Sequence, residues 1–252
     1  MASLNEIVAH LDELLDIEAF DDYGPNGLQV PGPPHVEVVV SGVSGHLELF
    51  ERAAELDADL VIAHHGIFWE GTPRQIDAAM ARRLRLLLTR EIGLAAYHLP
   101  LDAHPLVGNN ALLAAGLGCS PVTPFASHHG RPLGCVGRFA QPIDVAELIT
   151  RVGDLTERAP LCFTTGSERV ATVGIVSGAG AGYLGEAITL GLDAFLTGEP
   201  SERVMAQARE AGIHFLAAGH HATERLGVAR LGDLVAQRFG VTHHFVDVGN
   251  PI

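Results

Sequence analysis

Short apolar runs alternate along this chain with stretches of helical periodicity, and several runs end on histidine or aspartate. Val36 to Val43 reads as a buried strand and Leu47 to Leu56 as a helix. Ala58 to Ala63 reads as the next strand and Ile76 to Arg90 as the next helix. Ile92 to Leu99 reads as a third strand, followed by a short helix around Asn110 to Ala115. Such alternation requires βαβ units and predicts an α/β fold with mainly parallel sheet. In front of it, Leu4, Ile7, Val8, Leu11, Leu14 and Leu15 share one face of a helix ending near Asp16. A Gly- and Pro-rich loop, Asp21 to Pro34, separates that helix from the first strand.

The Pro/Ser/Gly-rich stretch from Ser120 to Pro132 reads as a boundary. Beyond it, Leu133 to Phe139 reads as a strand and Val145 to Gly153 as a helix. Leu161 to Thr165 and Val170 to Ser177 read as a hairpin turning at Gly166–Ser167. A helix over Tyr183 to Thr189, a strand over Ala194 to Thr197 and a helix after Pro200 follow. Strands at His214 to Ala218 and His244 to Val248 flank a last helix, Thr223 to Phe239. No repeat of fixed period is visible, although each half is α/β.

The 252 residues can bury a substantial core, and 47% hydrophobic with 18% charged residues describes an ordinary globular chain. No run of 18 apolar residues suggests a membrane span. The acidic N-terminus lacks the pattern of a secretory signal, so a cytoplasmic location is expected. A formal net charge of -14, with Arg82, Arg83 and Arg85 as the one arginine cluster, disfavours nucleic acid as a partner. Cys119, Cys135 and Cys162 are widely spaced and read as small buried hydrophobes, not disulfide partners or zinc ligands.

All 16 basic residues are arginine. Without lysine, Schiff-base chemistry and the phosphate-binding lysines of kinases and Walker A loops are excluded. Histidine is abundant at 14 copies, and neutral imidazole is the commonest metal ligand.

His64 and His65 follow the run Asp59 to Ala63, Asp102 follows the run ending at Leu99, and His220 and His221 follow His214 to Gly219. Ligands of open α/β sheets collect at the carboxyl ends of strands. Neighbouring side chains on a strand face opposite ways, so the His64–His65 pair can share one site only where the strand breaks; Gly66 is expected to supply that freedom. His220 and Glu224 are four apart, which puts both on one side of a helix entry. A lone strand-end histidine is more often a hydrogen-bonded structural residue than a ligand, and a lone His-x-x-x-Glu pair is weak. Three strand ends carrying such groups together favour a metal site.

Weaker candidates are weighed the same way. His98 is a proton-transfer group or a structural one. Glu199 precedes Pro200 at a helix start, where an acid also suits the dipole. Gly178 to Gly182 joins strand to helix and reads as a tight turn before a phosphate cradle. Trp69 lines a pocket or fills core. The doublets His128–His129 and His243–His244 lack convergent acids and are read as surface or interface residues.

Several segments resemble one family. Asp22-Tyr-Gly-Pro-Asn-Gly-Leu-Gln-Val30, Ala63-His-His-Gly-Ile-Phe-Trp69 and His98-Leu-Pro-Leu-Asp102 are similar to the dinuclear-metal family called Nif-three-like, also labelled type-2 GTP cyclohydrolase I. So are Gly108-Asn-Asn110, Thr197-Gly-Glu199, Gly219-His-His-Ala-Thr-Glu224 and Asn250-Pro-Ile252.

The resemblance implies two similar α/β lobes, the second inserted into the first. The metal-binding lobe would take 1–125 and 214–252, and the inserted lobe 126–213. It implies two divalent metal ions, with His65 and Asp102 on one, His64 and His220 on the other, and Glu224 bridging. Nitrogen and oxygen donors do not distinguish Zn, Fe, Mn, Co or Ni. It implies a toroidal homohexamer, and hydrolysis of a C–N bond in a nucleotide-like small molecule with His98 as acid/base. A metal-handling protein and a metal-stabilised scaffold are the alternatives. His221 departs from the family, which often has an aromatic residue there; a solvated or stacked neighbour is the plainer reading.

Overall fold

The computed structural model describes residues 2–73, 75–120 and 122–252. In chain order the elements begin with β1 (Ala2–Ser3), α1 (Leu4–Leu15), β2 (Gly27–Val30), β3 (His35–Val36), β4 (Val38–Ser44), α2 (Leu47–Glu55) and β5 (Leu60–His65). Then come α3 (Ala78–Thr89), β6 (Gly93–Ala96), α4 (Leu99–Ala103), α5 (Asn109–Gly116), β7 (Val122–His128), β8 (Arg131–Asp144) and α6 (Val145–Thr156). The rest are β9 (Leu161–Phe163), β10 (Arg169–Val176), α7 (Leu184–Thr189), β11 (Ala194–Thr197), α8 (Val204–Ala211), β12 (His214–Ala217), α9 (His220–Phe239) and β13 (Thr242–Phe245). Among the described residues no helix is long and apolar enough to cross a membrane.

The chain divides into two compact units, Met1–Leu101 with Gly227–Val248, and Asp102–Leu226 with Gly249–Ile252. The first holds a five-stranded sheet in the order β13-β4-β5-β6-β2. Three of its four pairings follow the expected pattern: β13, β4, β5 and β6 run parallel, and β2 closes the edge antiparallel. Leu49, Phe50 and Ala53 of α2 and Leu87 of α3 bury their faces against Val40, Val61 and Leu94. A fully buried leucine or phenylalanine contributes roughly 1.5–3 kcal/mol, so these few contacts hold the helices onto the sheet.

The second unit's sheet runs β7-β8-β10-β11-β12-β9. It is mixed: β10, β11 and β12 are parallel, while β7 with β8, β8 with β10, and β12 with β9 are antiparallel. The Ser120 to Pro132 stretch is therefore not a boundary, since it lies within this unit. It supplies strand β7 and the turn into β8, although Pro121 lies outside the described residues. The expected hairpin at Gly166–Ser167 is absent, because β9 pairs with β12 and not with β10. Its loop is tied to the start of β12 instead. Thr165 Oγ1 donates to Ile213 O at 2.8 Å, and His214 Nε2 lies 2.6 Å from Ser167 O. Segment 102–125 lies with this unit, as Leu113, Ala114 and Leu117 of α5 share a core with Leu148, Val173 and Leu216.

One aspartate does the same work in each unit. Asp59, just before β5, accepts from the amides of Glu37 and Val38 at the start of β4 through Oδ2, and its carbonyl accepts from Gly93 at the start of β6. Asp193, just before β11, accepts from the amides of Ala171 and Thr172 through Oδ2, and its carbonyl accepts from His214 at the start of β12. Each aspartate thus ties the starts of three parallel strands together, one neighbour through its carboxylate and the other through its carbonyl. The two units share a construction that the sequence hides.

His243 corrects the surface reading of its doublet. Its Nε2 lies 2.8 Å from Ser41 Oγ and its Nδ1 2.9 Å from Asp233 Oδ1, tying β4, β13 and α9 together. The three groups are arranged like a hydrolase triad, but Ser41 is fully buried, so the set is structural. His128 and His129 do stand at the surface, half-buried and exposed.

Burial pushes the Cys119 thiol up to about 11 and, helped by Cys119 beside it, the Cys135 thiol up to about 12. Cys162, half-buried, is raised by the same cause. The thiolate is the reactive form. At pH 8 a thiol reagent is therefore expected to label Cys162 first in the native protein, and Cys119 and Cys135 only after denaturation. Rapid native labelling of all three, read by intact mass, contradicts this packing.

Candidate metal centre

In the first unit, His64 and His65 close β5, and His98 follows the adjacent parallel strand β6. One ring nitrogen from each of the three lies within 4.8 Å of the others. The ring centroids are 4.7 Å apart for His64 and His65, and 5.1 and 5.5 Å from each of these to His98. The expected juxtaposition of the doublet holds, but not for the expected reason. Gly66 does not adopt a left-handed conformation. A Cβ there would stand 2.3 Å from Gln29 Nε2. Gln29 fills that space to bind the chain on both sides, accepting from Ile67 N at 2.8 Å and donating to Pro25 O at 2.7 Å.

The loop between α1 and β2 positions His98. Asp22 Oδ1 accepts from His98 Nδ1 at 2.7 Å, and Asp22 Oδ2 accepts from Leu99 N and Asn26 Nδ2, both at 2.9 Å. Asn26 Oδ1 accepts from His98 N at 2.8 Å. These bonds take the backbone out of the sheet ladder, so β6 ends at Ala96 and not at Leu99 as its apolar run suggests. Burial would raise the Asp22 carboxyl, yet the His98 ring, Asn26 and the Leu99 amide together hold it below its ordinary value. Trp69 packs edge-on against His98 with centroids 5.1 Å apart.

In the second unit, three parallel strands deliver Ser177–Gly178 after β10, Glu199 after β11 and His220 after β12. Glu199 Oε1 accepts from His220 Nδ1 at 2.5 Å. Glu224 Oε1 lies 3.2 Å from His220 Nε2, one helical turn along α9, as the four-residue spacing requires. Asp102 is 5% exposed, and its Oδ1 accepts from Asn109 Nδ2 and Ser177 Oγ, both at 2.8 Å. Gly178 comes next and takes the positive φ of +59°. A Cβ there would meet Glu224 Oε1 at 2.2 Å and His220 Nε2 at 3.2 Å, so the Gly178 turn makes room for these two donors. His221 is buried, and its amide donates to Ile252 O, which corrects the solvated reading.

Burial works against a charged His220, but hydrogen bonds and charge from Glu224 and then Glu199 outweigh it and push the imidazole up to about 9. Any cation here must displace that proton, since metal-ligating histidine is neutral.

The four imidazoles share one feature. His64 Nδ1 donates to Tyr97 O at 2.9 Å, His65 Nδ1 lies 3.1 Å from Ser44 Oγ, His98 Nδ1 is on Asp22 and His220 Nδ1 on Glu199. In each ring an oxygen fixes Nδ1, so Nε2 is the atom a cation would meet. Metal-ligating histidines are held in this way. Imidazole and carboxylate donors without sulfur fit a divalent transition metal.

The comparisons with known proteins agree with the motifs. A family model described as Duf34/NIF3 (NGG1p interacting factor 3) matches residues 2–251. The chain belongs to the NIF3 family. NIF3 relatives include a protein of Pseudomonas aeruginosa named GTP cyclohydrolase 1 type 2 homolog, 44% identical over 99% of this chain and 98% of its own length. A protein of Escherichia coli K12 with the same name is 41% identical over 98% of each. Among solved structures, protein ybgI of unknown function superposes with a TM-score of 0.94 at 40% identity, covering all of both chains. TTHA1606 of Thermus thermophilus gives 0.91 at 38%, again over all of both chains. The α/β fold of the NIF3 family is thereby established for this chain.

Gly178 provides a direct check on the second donor set. Gly178→Ala is expected to destabilise the protein by about 1–2 kcal/mol from the left-handed backbone alone, with more from the steric conflict. Chemical denaturation measures it, and a variant as stable as the parent would contradict the placement of Glu224 and His220 against this turn.

Proposed function

We propose that His64, His65, Asp102, His220 and Glu224 together hold two divalent cations and that the protein is a metal-dependent hydrolase. The fixing of Nδ1 in every candidate imidazole carries this reading. In the arrangement the family resemblance implies, His65 and Asp102 serve one ion, His64 and His220 the other, and Glu224 spans both. When bound, such ions supply Lewis acidity to a water and to a substrate oxygen.

The chain's own groups have defined tasks. Glu199 and the Tyr97 carbonyl orient His220 and His64. Asn109 and Ser177 hold one oxygen of Asp102. His98, fixed by Asp22 at Nδ1, carries a proton at Nε2 to or from the reacting group. Burial of Asp102 and Glu224 strengthens their pull on a cation. The name borne by the relatives makes GTP the first substrate to try, with cleavage of a C–N bond of its purine ring. With no lysine in the chain, a triphosphate would rely on arginine, backbone amides or the metals themselves.

We further propose a cytoplasmic protein and, from the resemblance, a homohexamer, for which light scattering should return six times the chain mass.

Glu224→Ala should reduce bound metal from about two ions per chain to one or none, because a bridging ligand serves both. Elemental analysis after anaerobic purification measures this, and unchanged metal content opposes the site. Protein loaded with Mn, Zn or Fe should convert GTP to a ring-opened product seen by mass. No turnover with any of them removes GTP while leaving other C–N hydrolyses in place.

A further inference from the structure

Three donor nitrogens meet within the first unit alone, on His64, His65 and His98. The pair of ions proposed above uses the first two and leaves His98 to carry a proton. Yet the trio has the geometry of a ligand set. Three imidazoles bound through nitrogen to one tetrahedral ion, at roughly 2.0–2.1 Å, have ring centroids about 5 Å apart. The separations here are 4.7, 5.1 and 5.5 Å. The ring planes are inclined to one another by 45°, 50° and 58°, so the rings do not stack as packed aromatics do.

The anchors of the three rings lie in the same unit. Tyr97 O, Ser44 Oγ and Asp22 Oδ1 each take one Nδ1, which leaves the three Nε2 atoms for a cation. His98 is held hardest, at Nδ1 by Asp22, at its amide by Asn26 and on its ring by Trp69, which also packs on His65. Ligand histidines are held in this manner. His64 is fully buried, whereas the His98 side chain is 19% exposed, so the trio keeps a solvent side. A shell of nitrogen alone suits Co, Ni or Zn, while Mg, Ca and Mn favour carboxylate, carbonyl and water oxygens.

We propose that His64, His65 and His98 form a single-ion site that takes up the first cation, a divalent ion of the Co, Ni and Zn kind, with its fourth position open to water. The proposal rests on the reading of His64 and His65 as metal donors, and adds to it a third donor and an order of filling. With one ion bound, His98 Nε2 is a ligand. Filling of the two-ion arrangement draws His64 and His65 to separate ions and frees His98 Nε2 for its proton.

Cobalt chloride titrated into the metal-free full chain tests this, read by visible absorption, which is far stronger for four-coordinate than for six-coordinate cobalt, and by elemental analysis after desalting. Glu224→Ala, which removes the bridge, should keep one cobalt per chain with a four-coordinate spectrum, and excess magnesium should not displace it. Adding His98→Asn, which keeps an N–H for Asp22 but has no Nε2, should weaken that ion by more than about 100-fold. Asp22→Ala in the same background removes only the anchor and should cost about 10–100-fold. A Glu224→Ala protein that holds no cobalt, or holds one that His98→Asn leaves in place, overturns the proposal. Two ions retained in Glu224→Ala refute the bridged pair instead; the trio then stands if His98→Asn removes one of them and falls if it removes none.

Discussion

An imidazole can serve a cation only if its ring is held still, and the structure spends a distinct oxygen on each ring that matters. A backbone carbonyl holds His64, a serine hydroxyl His65, an aspartate His98 and a glutamate His220. The oxygens come from the ends of neighbouring strands or from the loop after α1. The sheets therefore do more than carry the histidines, since parallel pairing of β4 with β5, and of β11 with β12, sets His65 and His220 beside their anchors. A one-residue slip in either pairing would exchange the two faces of the strand and separate ring from anchor.

Much of this was legible in the sequence. Strand–helix alternation points to the α/β class, and the strand-end rule places the histidine doublet and His220; Asp102 lies instead on α4, beyond the end of β6 at Ala96. The four-residue step from His220 to Glu224 was sound because it depends only on helix geometry. The motif Asp22 to Val30 was visible as a family signature, but its work was not. Asp22 and Asn26 act on His98 across more than seventy residues, and Gln29 on Ile67 across 38. Nothing local in the chain announces such bonds.

The misreadings have a common source. Gly66 reads from the sequence as backbone freedom, whereas what decides it is the space that a Cβ would take from Gln29; Gly178 needs both its positive φ and the room it leaves for Glu224. The hairpin at Gly166–Ser167 followed local turn chemistry and lost to long-range pairing of β9 with β12. The likeness of the two units leaves no repeat in the sequence because it resides in one aspartate per unit and in backbone hydrogen bonds, which leave almost no trace in side-chain identity. Glu199 was weighed as a helix-dipole residue, and its contact with His220 could have been anticipated only by knowing that β11 and β12 are neighbours.

X-ray absorption at the metal edge of the loaded protein reads the donor set of the bound ions. The account predicts a shell of nitrogen and oxygen alone, with the multiple-scattering pattern of several imidazoles and a second metal as a heavier neighbour. A thiolate sulfur in the shell, or a lone metal without imidazole scattering, would contradict it.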